Sequence, residues 1–109
     1  MEEEHALLIY FRYESDDLDS LFCLQAQLES AITSANAGIF DGNDISLETK
    51  EVILFMYGPD CSVLLQAVSP ILLSSSITSR AKIKLRYGLP GANTKEDIIV
   101  VGIWPDAVG

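Results

Sequence analysis

Lys50–Ser76, KEVILFMYGPDCSVLLQAVSPILLSSS, holds a short apolar run, a Gly-Pro turn and an apolar segment at helical spacing. Val52–Tyr57 is too short to cross a bilayer and rich in strand formers, so it predicts a strand buried on both faces. Such a strand belongs in the middle of a sheet, with a partner on each side and a cover on at least one face. Gly58-Pro59-Asp60 stops that strand and starts a helix over about Cys61–Ser74, with Asp60 as its N-cap. Val63 or Leu64, Ala67, Val68, Ile71 and Leu72 make its buried stripe, while Ser62, Gln66 and Ser69 make its polar side. Pro70 sits well inside the helix without a backbone donor, which predicts a kink or a restart.

Upstream, Ala6–Tyr13 is a second apolar strand, with Leu7, Ile9 and Phe11 on one face and Leu8, Tyr10 and Arg12 on the other. Met1–His5 reads as a charged, frayed lead-in. Glu14-Ser15-Asp16-Asp17 opens the first helix, capped by Ser15 or Asp16, and its acids suit the positive end of the helix dipole. Leu18, Leu21, Phe22, Leu28, Ile32 and Ala35 recur as one stripe, and Gly38 ends the helix. Ile39–Glu48 reads as a half-buried edge strand with Ile45 and Leu47 inward and a turn or bulge at Asp41–Asp44. Downstream, Arg80–Tyr87 alternates cleanly, with Ala81, Ile83, Leu85 and Tyr87 facing inward and Lys82, Lys84 and Arg86 outward. After a loop over 88–95, Asp97–Trp104 is the last strand, stopped by Pro105.

The order is β-α-β-β-α-β with an added C-terminal strand. Right-handed crossovers in the two β-α-β halves place both helices on one face, and the two apolar strands take the centre. The expected fold is therefore α+β, a ferredoxin-like sandwich with an antiparallel sheet. At 109 residues and 49% hydrophobic content it forms one domain.

Sixteen acids against seven Lys and Arg give a net charge of −9. That balance disfavours DNA, RNA and anionic membranes, which need clustered cations to displace counterions. It suits a basic protein partner, although plain solubility is the commoner reason for an acidic surface. No apolar run is long enough to span a membrane and the acidic start lacks a basic signal region, so a cytoplasmic protein is expected. Cys23 and Cys61 both fall in expected helices without CxxC spacing and read as small buried hydrophobes.

Few side chains propose chemistry. Lys82, Lys84 and Arg86, joined by Arg12 beside Tyr10, gather four cations on the helix-free face, where they would form an anion site. The plainer account is a solvated face, since RNA-recognition aromatic patterns are absent. Asp41, Asn43 and Asp44 begin like a calcium loop, but Ile45 and Val52 occupy later ligand positions and no metal site is expected. A single histidine, His5, leaves little for Ser-His-Asp or Cys-His catalysis, and no glycine loop has phosphate-binding spacing. No enzyme activity and no cofactor are expected. The apolar Ile98–Trp104 strand is either core or an interface, and a homodimer through it is the second expectation.

Met56-Tyr57-Gly58-Pro59-Asp60, Val68-Ser69-Pro70-Ile71-Leu72 and Leu85-Arg86-Tyr87-Gly88-Leu89-Pro90-Gly91 together resemble small bacterial ferredoxin-like proteins, some of the toxin-immunity type. The resemblance spans Leu7 to about Val101 and carries structural punctuation rather than catalytic residues. It implies a cytoplasmic bacterial protein that works by binding, masking a basic toxin domain such as a nuclease. Glu14, Asp16, Asp17 and Asp19 form one expected contact patch, and Asp41, Asp44 and Glu48 a second. The alternative is a dimeric small-anion module using Arg12, Lys82, Lys84 and Arg86.

Overall fold

The structure, a computed structural model, describes residues 4–91 and 93–102. Its elements in chain order are β1 (His5–Arg12), α1 (Asp19–Ser34), β2 (Ile39–Ile45), β3 (Glu51–Gly58), α2 (Cys61–Ser74), β4 (Lys82–Arg86) and β5 (Glu96–Val100). The strands form one antiparallel sheet in the order β2-β3-β1-β4-β5. This α+β arrangement of five strands and two helices is compatible with the ferredoxin-like plan.

The two unbroken apolar runs, β1 and β3, take the centre of the sheet. In register Leu7 faces Met56 and Leu85, Ile9 faces Leu54 and Ile83, and Phe11 faces Val52. These residues and the inner stripes of α1 and α2 make a single buried cluster, so both helices cover the same sheet face. Each fully buried Leu, Ile or Met here contributes on the order of 1.5–3 kcal/mol. Among the described residues the opposite face has no second layer. Ile53, Phe55 and Tyr57 on β3 are therefore only half-buried, and β3 is closed on one face rather than two.

Asp60 caps α2 as expected, its carboxylate accepting from the Ser62 N–H at 2.9 Å. Cys61, Leu64, Leu65, Val68 and Leu72 are its buried residues, whereas Val63 is exposed. The helix does not restart at Pro70, which lies exposed on its outer side.

α1 departs more from expectation. It begins at Asp19 behind Leu18, without a side-chain cap bond from Ser15 or Asp16. Ser15 and Asp17 instead build a turn before the helix: the Asp17 N–H donates to Ser15 Oγ, and the Asp19 N–H donates to Asp17 Oδ1. The buried stripe is Leu21, Leu24, Leu28 and Ile32, with Phe22 half-exposed and Ala35 outside. Asn36, at φ 52°, turns the chain out of the helix two residues before Gly38. Gly38 serves a different end, since its φ is +150° and a Cβ there would lie 2.0 Å from the Tyr57 carbonyl oxygen. Gly58 meets the same crossing from the other side, where a Cβ would lie 2.2 Å from the Ala37 oxygen.

β2 has the expected bulge, a register shift between Phe40 and Asn43. It ends at Ile45, however, and Leu47 is 72% exposed in the turn that follows. β5 is shorter than expected and lies at a sheet edge, with Ile99 buried and Ile98 65% exposed. The Ile103–Trp104 end of the expected strand lies outside the described residues. Arg80, just before β4, holds φ +66°, and Lys50 holds +64°. That left-handed backbone costs a side-chain-bearing residue about 1 kcal/mol or more relative to glycine.

Candidate functional site

Because β1 and β3 run antiparallel with Arg12 opposite Glu51, the loop leaving β1 and the turn entering β3 meet at one end of the sheet. The Tyr13 N–H donates to the Lys50 oxygen at 2.8 Å, and Lys50 Nζ lies 3.4 Å from Asp16 Oδ1. Ser46 organises the turn: its N–H donates to Glu51, its carbonyl accepts from the Lys50 N–H, and its hydroxyl accepts from the Thr49 N–H.

This packing brings the loop that carries Glu14, Asp16 and Asp17 to the same end of the sheet as the turn that carries Glu48, with Glu51 opposite Arg12 at the start of β3. Asp41 stays apart, farther along β2 at the bulge, next to an Asn43–Gln25 hydrogen bond of 2.8 Å on the helix side. Two cations share the acidic end. Arg12 is held by Glu14 at 3.0 Å and Lys50 by Asp16, so neither offsets the remaining acids. Such exposed pairs contribute about 0–1 kcal/mol, so they orient the loops more than they stabilise them. Between the loops lies a small hollow of about 60 Å³ lined by Tyr13, Leu18, Ile45 and Leu47, among others.

The expected cation row divides in two on the helix-free face. Lys84 lies 3.9 Å from Glu96 and 5.9 Å above the Tyr10 ring, and Arg86 Nε donates to the Gly88 oxygen at 2.8 Å. Arg12 and Lys82 instead border an open cleft of about 450 Å³ with Tyr10, Glu51, Ile53 and Arg80. Arg80 did not figure among the expected cations. Its placement follows from the positive φ of the turn before β4, which spacing along the sequence does not reveal.

A further constellation joins residues far apart in the chain. His5 is the first residue of β1 rather than a frayed lead-in, and its Nδ1 accepts from the Cys61 N–H at 3.1 Å. The His5 ring meets Tyr87 edge-on at 5.7 Å, and Tyr87 donates to Asp97 Oδ2 at 2.9 Å. Burial, with the charge of Asp60 next in weight, pushes the Cys61 thiol up to about 11. Burial and the hydrogen bond to Asp97 likewise raise Tyr87. The thiol is thus protonated at neutral pH, the form that packs rather than attacks. Cys23 is exposed, and both cysteines are free.

Among the described residues, no three His, Cys, Asp or Glu side chains converge on a metal-sized site. No helix among them is long and apolar enough to cross a membrane. No protein-family model matches the chain, and neither a curated protein nor a solved structure matches it.

Proposed function

We propose that this chain is a ferredoxin-like, non-enzymatic protein-binding module of the toxin-immunity type, acting in the cytoplasm on a basic partner. The observation that carries this reading is the union of two acidic stretches at one end of the sheet. The loop after β1, with Glu14, Asp16 and Asp17, lies against the 46–50 turn, which carries Glu48 and the exposed Leu47, and the two cations there, Arg12 and Lys50, already pair with Glu14 and Asp16. Electrostatic complementarity of this kind speeds encounter with a cationic surface and selects against acidic competitors. Leu47 supplies an exposed apolar contact in the same turn, and protein interfaces combine apolar contacts with a polar rim.

The test is affinity capture from the native source with wild type and an Asp16→Asn, Asp17→Asn, Glu48→Gln triple variant. A stoichiometric basic partner that dissociates steeply with salt and is lost with the triple variant supports the reading. A partner insensitive to both salt and the variant, or no protein partner at all, refutes it. Thermal unfolding of the variant separates lost binding from lost fold, since exposed substitutions of this kind change stability by less than about 0.5 kcal/mol each.

A further inference from the structure

The cleft on the helix-free face is chemically unlike the acidic end. Three of the seven Lys and Arg border it, and only Glu51 among its lining residues is acidic. Arg12 is shared with Glu14 through Nε and one terminal nitrogen, which leaves N–H groups on its far side. Among the described residues, Arg80 and Lys82 have no ion pair. Tyr10 and Ile53, both half-buried, give the cleft an aromatic and an aliphatic wall. Its volume of about 450 Å³ is within the range of small-molecule sites.

The backbone points to the same place. Thr78, fully buried, donates its hydroxyl to the Leu72 oxygen at 2.9 Å and fixes the turn beneath the end of α2. The Ala81 N–H then donates to the Thr78 oxygen, and Arg80 between them takes φ +66°. Glycine would adopt that conformation freely. A residue held in such a region is a starting point for a functional hypothesis, and this one brings a guanidinium to the cleft.

We propose that this cleft binds a small organic anion, a phosphate carried on a flat apolar body. Arg80, Lys82 and the remaining N–H groups of Arg12 take the anionic group, and Tyr10 and Ile53 take the body. Guanidinium groups suit phosphate because their planar N–H forks match its oxygens. A nucleic-acid strand is a poor fit, because the cations form one local group on a molecule of net charge −9. The site shares Arg12 and Glu51 with the acidic end, whereas Arg80 and Lys82 belong to the cleft, so substituting those two tests this reading apart from the acidic one.

The experiment is a titration of the full chain with phenyl phosphate, followed by amide chemical shifts, with inorganic phosphate alongside. Saturable shifts at Tyr10, Ile53, Arg80 and Lys82 are expected, with inorganic phosphate about tenfold weaker because stacking on the wall is lost. Arg80→Gly and Lys82→Ala should each weaken phenyl phosphate about tenfold, the worth of one charge-assisted contact. Arg80→Gly should do so without lowering the melting temperature, since glycine relieves the turn; a merely structural arginine would not part the two readouts. Absence of saturable shifts at millimolar phenyl phosphate overturns the proposal. So does binding indifferent to both substitutions, or inorganic phosphate binding as tightly as the phenyl ester.

Discussion

Replacing Gly58 by alanine tests the crossing on which β2 and β3 depend. The added Cβ would lie 2.2 Å from the Ala37 carbonyl oxygen, more than 1 Å inside an ordinary contact of 3.4 Å. Ala37 C and Gly38 Cα are also close, each 3.3 Å away. All three neighbours are backbone, so no side-chain rotation can relieve the overlap. The loop must lift from the sheet, loosening the Ile39–Tyr57 or the His5–Gly58 pairing. Overpacking of this kind costs 1–3 kcal/mol, and the rigid surroundings put Gly58→Ala near the top, at about 3 kcal/mol. The reduced entropy of the unfolded alanine chain returns only about 0.4–1 kcal/mol. Gly42→Ala is the control: nothing lies within 4 Å of its Cβ, and only its φ of +101° opposes the change. That leaves roughly 1 kcal/mol or less after the same entropy gain. Urea unfolding reads the difference as a midpoint shift at constant slope, about 1–2 M for Gly58→Ala and a fraction of that for Gly42→Ala. Equal midpoints for the two variants would refute the close approach of the 37–38 loop to β3.

Two further expectations rest on Cys61. In the native protein at pH 8 an alkylating reagent should label Cys23 and spare Cys61, and denaturant should expose the second thiol. Equal native labelling of both would contradict the burial and the raised thiol. The second expectation concerns alkaline stability. The unfolded thiol loses its proton near 9.0, whereas the folded one holds it to about 11. Above pH 9 the unfolded state therefore binds fewer protons, and stability that is full below that point falls as pH rises toward 11. The loss is on the order of 2–3 kcal/mol, and Cys61→Ala should show a shallower alkaline decline, with the remainder due to Tyr87. Identical pH profiles for the two proteins would remove Cys61 as the cause.

The central strands were legible because Ala6–Phe11 and Val52–Tyr57 are short, unbroken runs of strand-forming apolar residues, but such runs do not say which face is covered, and β3 is covered on one. Asp60 was legible too, since capping is local chemistry. Phe22 was misplaced because helical spacing admits both it and Leu24, and only docking against the sheet chooses Leu24. Leu47 was misplaced because its alternation with Ile45 runs on past the point where the Ser46 hydrogen bonds turn the chain. The acidic end was half legible: both groups were visible, but their union depends on the Tyr13–Lys50 bond across the sheet. His5 and Arg80 were not legible. One depends on a contact with Cys61, 56 residues away, and the other on a backbone angle that no residue pattern announces.

The place of β1 between β3 and β4 has a consequence for synthesis. Of the sheet's strands, β1 leaves the ribosome before the others and finds both of its neighbours later in the chain. A nascent polypeptide must emerge to Gly58 before β1 gains one flank, and to Arg86 before it gains the other. Between those two points the ribbon of Leu, Ile and Phe has β3 on one side and an open edge on the other. Slow translation between Gly58 and Arg86 would prolong that interval, so aggregation during expression should respond to elongation speed in that window rather than to the stability of the finished molecule.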